Sequence, residues 1–107
     1  MRAITVRQPW AHLIVTGRKS VEHRSWRTHH RGPLLIHAGQ EIDQDGPEIK
    51  QLVLGAIIGV VELVDVFERG GRFGWRLANP RQFKQPVECR GRLSLWLPPR
   101  RVLAQLH

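Results

Sequence analysis

At 107 residues the chain has room for one domain around a single modest core, and its 41% hydrophobic and 24% charged residues exclude a disordered or fibrous class. One cysteine, Cys89, rules out an internal disulfide and suits a reducing compartment; with no apolar leader and no apolar run near ~18 residues, a cytoplasmic protein is expected. A net charge of +8 directs attention to anionic partners, whether phosphate or an acidic protein, and away from cationic ones.

In chain order, Ala3 to Val6 is a short first strand. Gln8-Pro9 starts a helix over Pro9 to Thr16, because proline has the right φ for the first helical position and its missing N–H would be unpaired there. Trp10, Leu13 and Ile14 share one face of that helix, and Gly17 ends it. Ser20 to Trp26 is strand-like, with Glu22, Arg24 and Trp26 on one side and Val21, His23 and Ser25 on the other. Two charges and an indole make poor core and a good cleft lining. After the loop Arg27 to Gly32, Leu34 to Ala38 reads as a buried strand containing His37. Ile49, Leu52 and Val53 recur at helical spacing beyond Pro47, which predicts one short helix or irregular turn. Gly55 to Phe67 is rich in β-branched residues and is the strongest strand, with Gly59 marking a bend. Gly70-Gly71 is a turn, Phe73 to Leu77 another strand, and Asn79-Pro80 a break. Phe83 to Glu88 runs extended with Pro86 at an edge. Arg92 to Leu97 alternates as a last strand, and the basic tail 98–107 has room for a helical turn.

The expected fold class is therefore α+β, mainly β: one domain over 1–107, with its core in 3–97, forming a small, partly closed barrel of five or six strands with one or two short helices. Charge is segregated along it. Residues 1–34 carry +6, residues 35–68 carry −6 and residues 69–107 carry +8. Two basic segments flanking an acidic one suggest a face aimed at phosphate. Fourteen arginines against three lysines is also what a GC-rich coding sequence produces.

Several stretches together resemble the ASCH family (activating signal cointegrator homology domain), a branch of the PUA-like β-barrels. They are Thr5-Val6-Arg7-Gln8-Pro9-Trp10, Gly17-Arg18-Lys19-Ser20-Val21-Glu22-His23-Arg24, Arg31 to Ala38, Gly55 to Leu63, Phe73-Gly74-Trp75 and Gly91-Arg92-Leu93-Ser94-Leu95-Trp96. The resemblance covers roughly residues 3–97 and implies a PUA-like barrel that handles RNA, a nucleotide or a nucleoside. Some proteins of this kind hydrolyse acylated cytidine with a Lys, a Thr and a Glu. The Lys matches Lys19 and the Glu matches Glu62, but the Thr aligns with Glu22, and a carboxylate does not replace a nucleophilic hydroxyl. Other relatives are linked to RNA cleavage, which would ask Lys19 to stabilise developing phosphate charge.

The expected site is a basic, aromatic cleft. Lys19, Arg24 and the loop residues Arg27 and Arg31 would meet phosphates, while Trp26 and Trp10 would stack on bases. Glu22 or Glu62 would accept from a base edge or activate water, and His37 would add a hydrogen bond. Against this stands a structural ion pair of Arg24 with Glu22 or Glu62, and burial of Trp10, Trp75 and Phe73 in the core. The histidines and Cys89 fit no compact zinc spacing, so neither a metal nor another cofactor is expected.

Overall fold

The computed structural model describes residues 1–107. Its elements are β1 (Arg2–Gln8), α1 (Trp10–Val15), β2 (Val21–Arg24), β3 (Gly32–Ile42), β4 (Ala56–Arg69), β5 (Arg72–Glu88) and α2 (Arg100–Leu103). The five strands form one sheet in the order β1-β3-β4-β5-β2, parallel between β1 and β3 and antiparallel elsewhere. The mainly β architecture of five strands with two short helices expected from the pattern is the one that forms, with the sheet not closed into a barrel. No ladder joins the edge strands β1 and β2. Instead the Arg24 guanidinium on β2 donates through Nη2 to the Thr5 carbonyl on β1 at 2.9 Å.

The apolar run of β3 follows from burial on both of its faces. Leu34, Ile36 and Ala38 join Ile4, Val6 and Trp75 in one core, which α1 covers with Ala11, Ile14 and Val15. Leu35, between them, faces a second core of Ala3, Ile57, Phe83, Val87, Trp96 and Val102, so the C-terminal segment packs across the outside of the sheet. Burying a side chain the size of Ile4 or Leu35 stabilises by about 1.5–3 kcal/mol. Gln8 is buried too, and serves the start of α1. Its Oε1 accepts the His12 N–H at 2.9 Å, and its Nε2 donates to the Val53 carbonyl at 2.8 Å. A helix of six residues would otherwise leave that N–H unpaired.

Three expectations are corrected. The buried stripe of α1 is Ala11, Ile14 and Val15, not Trp10, Leu13 and Ile14, which leaves the Trp10 ring half-buried at the edge of the core. Asn79-Pro80 does not break the chain into two strands. Asn79 takes φ 51°, a left-handed conformation Asn tolerates, and β5 continues beside register shifts of β4. Its far half pairs only with β4, so Pro86 sits on a free edge. Residues 49–53, by contrast, take the second of their two expected forms, an irregular turn, with Gln51 at φ 61°. Finally, Arg92 to Leu97 is not a strand. Ser94 at φ 59° interrupts it, only Trp96 pairs with β1 through Ala3, and Leu93 points into solvent.

The expected bend at Gly59 lies at a register shift of both neighbouring ladders. A Cβ there would lie 2.6 Å from the Arg81 carbonyl oxygen and 2.6 Å from Val15 Cγ1, so only glycine lets β4, β5 and α1 meet.

Candidate functional site

Beside the seam between β1 and β2 opens a cleft of about 1630 Å³. β1 contributes Thr5 and Arg7, α1 contributes Trp10, and the turn and strand after it contribute Lys19 and residues 22–26. Arg72, next to the Phe73 that pairs with Arg24, adds to that side. The rest of the lining comes from His37 and Gly39 to Glu41 of β3, Asp43 and the segment Glu88 to Ser94.

Glu22 is the centre of a three-charge knot. Its Oε1 lies 3.5 Å from Lys19 Nζ, and its Oε2 accepts from Arg24 Nε at 3.1 Å and Nη2 at 2.8 Å. Lys19 also donates to the Val21 carbonyl and sits 5.9 Å from the centre of the Trp10 ring. The three side chains are only 12–23% exposed. Alternation on β2 placed Glu22 and Arg24 on one face, and the expected ion pair of Arg24 with Glu22 forms. One carboxylate between two cations leaves a net positive charge of one, and neither cation is idle.

The Trp10 indole is held by its own edge. Its Nε1 donates to Asp43 Oδ2 at 2.9 Å, and the Asp45 N–H donates to Oδ1 at 2.9 Å. The Trp10 hydrogen bond, then that of Asp45 and the charge of Arg7, hold the Asp43 carboxyl below its usual range, so it stays ionised and keeps accepting. Trp26, also half-buried, meets Trp75 edge-on with ring centres 4.8 Å apart, and its carbonyl accepts the Trp75 N–H at 3.4 Å. Trp10 and Trp26 both line the cleft; Trp75 and Trp96 are core.

His37, 2% exposed, anchors the β3 part of the lining. Its Nε2 lies 2.8 Å from the Cys89 carbonyl, which can only accept, so Nε2 carries the proton. Nδ1 then accepts from the Thr5 hydroxyl at 3.2 Å, whose oxygen accepts from Trp96 Nε1 at 3.2 Å. Desolvation lowers the His37 pKa below 6.5, against the opposing effect of the Cys89 carbonyl, so the ring is neutral near pH 7. Burial, with help from Arg18, lowers His12 in the same direction. Above pH 6.5 both are neutral folded and unfolded, and stability does not depend on them. Below it the unfolded chain takes up protons that the folded chain resists, so stability falls until the lower folded values are passed. The melting temperature should therefore drop as pH falls from about 6.5 toward 5, and His37→Gln should flatten that drop. An unchanged slope in the variant would remove His37 from the account.

Not every expected site residue is in the cleft. Glu62 is exposed on the outer face of β4, opposite Pro33 and Ala78, because its buried neighbours Val61 and Leu63 claim the inward positions. Arg27 lies 3.9 Å from Glu68 and over the Phe73 ring, and Arg31 donates to the carbonyls of Thr28 and His30 in its own loop; neither lines the cleft. Conversely, Arg7, Arg72, Arg90 and Arg92 line it and were not singled out. Arg7 pairs with Glu41 at 3.2 Å, whereas none of the five ion pairs involves Arg72, Arg90 or Arg92. The one signal for them was the +8 charge of residues 69–107.

Sequence and fold comparisons agree on where this chain belongs. The human and mouse proteins named activating signal cointegrator 1 are 37% and 35% identical to it over 79 residues, covering 58% of this chain but 14% of theirs. The chain thus matches only about one-seventh of those relatives' length. The crystal structure of the ASCH protein from Zymomonas mobilis superposes with a TM-score of 0.69 over 99% of this chain and 95% of that one, at 13% identity. A single-residue variant of the same protein gives 0.69 over 99% and 98%. At that identity the likeness speaks for the fold alone. The profile described as "ASCH domain" matches residues 4–91, from the first strand to the glycine packed on His37, and on that match the chain belongs to the ASCH domain family.

Proposed function

We propose that the cleft binds single-stranded RNA. Phosphates lie at Arg72, Arg90 and Arg92, and bases stack on Trp10 and Trp26. The observation that supports this most is the coexistence, in one open cleft, of three arginines without carboxylate partners and two half-buried indoles. Unpaired bases offer faces to such rings, and guanidinium groups suit phosphate oxygens. Size points the same way. At about 1630 Å³ the cleft exceeds the ~300–1,000 Å³ typical of small-molecule pockets, so several nucleotides fit better than one nucleoside. Lys19 and Arg24 are already engaged by Glu22, so they position and polarise rather than serve as the main phosphate clamps.

Hydrolysis of an acylated nucleoside or of RNA was the competing expectation, with Lys19 and Glu62 central. The fold keeps those two apart, since Lys19 lines the cleft and Glu62 does not. One experiment addresses both readings. Fluorescence anisotropy of a short labelled RNA, titrated between roughly 50 and 200 mM salt, should give a log–log slope of about −2, from three phosphate contacts at about 0.7 each. A slope near zero would sink the binding reading. Mass spectrometry of the same samples covers catalysis. Product made by wild type but not by Lys19→Ala would replace a binding module with an enzyme.

A further inference from the structure

Leu93 is 93% exposed, the most exposed large apolar side chain in the chain. Sequence alternation put it on one strand face with Leu95 and Leu97, and the structure instead turns it out into solvent. A loose loop would explain that trivially, but this segment is fixed on both sides of Leu93. The Cys89 carbonyl accepts from His37 at 2.8 Å. Gly91 packs so tightly that an added Cβ would lie 2.7 Å from Thr5 Oγ1 and 2.8 Å from His37 Cε1. Trp96 exchanges backbone hydrogen bonds with Ala3 at 2.8 and 3.0 Å. Leu93 is thus held out between fixed points, at the cleft, next to Arg92 and three residues from Arg90.

We propose that Leu93 is a wedge that inserts between two adjacent bases of the bound RNA strand, while Arg90 and Arg92 hold the flanking phosphates. The proposal rests on the reading of the cleft as an RNA site and adds a residue and a mode of contact to it. Apolar side chains flanked by cations are used in this way where a protein unstacks a base step, replacing base–base contact with base–aliphatic contact and gaining phosphate contacts alongside. A protein partner would fit less well. Protein-docking patches extend over a few hundred Å² of contiguous apolar surface, whereas the residues that line the cleft beside Leu93 in its segment include Arg90, Arg92 and Ser94.

The test places 2-aminopurine, a base whose fluorescence rises when it is unstacked, at successive positions of a short single-stranded RNA. Wild-type protein should raise the signal at one or two adjacent positions. Leu93→Ala should bind about tenfold more weakly and lose the rise, as expected for one lost base contact, while Leu93→Met keeps both. Because Leu93 is exposed, circular dichroism and the melting temperature should stay as in wild type. Wild-type binding with no rise at any position, or an unaltered rise in Leu93→Ala, would overturn the wedge and leave RNA binding standing. No wild-type binding at all would overturn the RNA reading and the wedge with it. A self-association by sedimentation that Leu93→Ala abolishes, with RNA signals intact, would assign the residue to a protein contact instead.

Discussion

Gly91→Ala should lower the melting temperature by roughly 8 °C and weaken RNA binding in the same variant, an unusual pairing for one added methyl group. Gly91 has no left-handed backbone to preserve, so the effect is purely one of space. The new Cβ would meet Thr5 Oγ1 at 2.7 Å, His37 Cε1 at 2.8 Å and Nδ1 at 2.9 Å. Such contacts are relieved when a neighbour is the free end of a flexible side chain, and here it is not. His37 is fixed by hydrogen bonds at both ring nitrogens and edge-on against Trp96, and Thr5 is fixed by the Trp96 N–H. Overpacking of this kind costs about 1–3 kcal/mol, and about 2 kcal/mol corresponds to the stated shift in a chain of this size. The segment can relax only by lifting away from the sheet, which moves Arg90 and Arg92 off the cleft rim. Differential scanning calorimetry and an anisotropy titration check the two halves. The double variant Gly91→Ala with His37→Ala removes the obstructing ring, so the glycine substitution should cost measurably less in that background. Equal costs in both backgrounds would show that His37 is not what Gly91 accommodates.

Much of the sheet was legible in the sequence because periodicity reports burial directly. The unbroken apolar run from Leu34 to Ala38 announced a strand covered on both sides, and the β-branched run after Gly55 announced the long central strand. What misled was local punctuation. Asn79-Pro80 has the composition of a break, yet Asn can take a positive φ inside a bulge, and whether a bulge or a break results depends on whether β4 stays paired alongside. The alternation Leu93-Leu95-Leu97 looked like a strand face. Only Leu95 is packed against the core, because β1 offers the returning chain just one bridge at Ala3.

The site was half legible for the same reason. Period-two alternation on residues 20–26 put Glu22, Arg24 and Trp26 on one face, and all three line the cleft. So do His23 and Ser25 from the other face, because this short strand and its end sit at the cleft edge. Glu62 failed because an acid inside an apolar run can face outward from a sheet as readily as into a cleft, and its register with Pro33 and Ala78 is a tertiary fact. Arg27 and Arg31 were chosen for their nearness in sequence to Trp26, but their loop leads away from the cleft. Arg90 and Arg92 were missed although they lie close to His37, because their position depends on the Cys89 carbonyl reaching across more than fifty residues to its ring.

Glu22→Gln should make the protein less stable and a tighter binder of RNA. Amide for carboxylate preserves shape and removes the charge that holds Lys19 and Arg24. Loss of one partner in a fully buried pair costs about 3–5 kcal/mol and in an exposed one about 0–1. At 12–23% exposure, with Arg24 keeping its bond to the Thr5 carbonyl, a loss of about 1–2 kcal/mol is expected. Both cations then become available to phosphate. The salt slope should steepen by up to about 1.4, two contacts at about 0.7 each, and affinity at low salt should rise. The opposed signs give the prediction its force, since a purely structural Glu22 would lower stability and binding together. If Glu22 instead accepts a hydrogen bond from a base, the variant loses affinity for one base and keeps the wild-type slope. A homopolymer series measured at two salt concentrations, beside a thermal melt, separates the cases. Tighter binding with a steeper slope would identify Glu22 as the restraint on a cleft that would otherwise bind any polyanion.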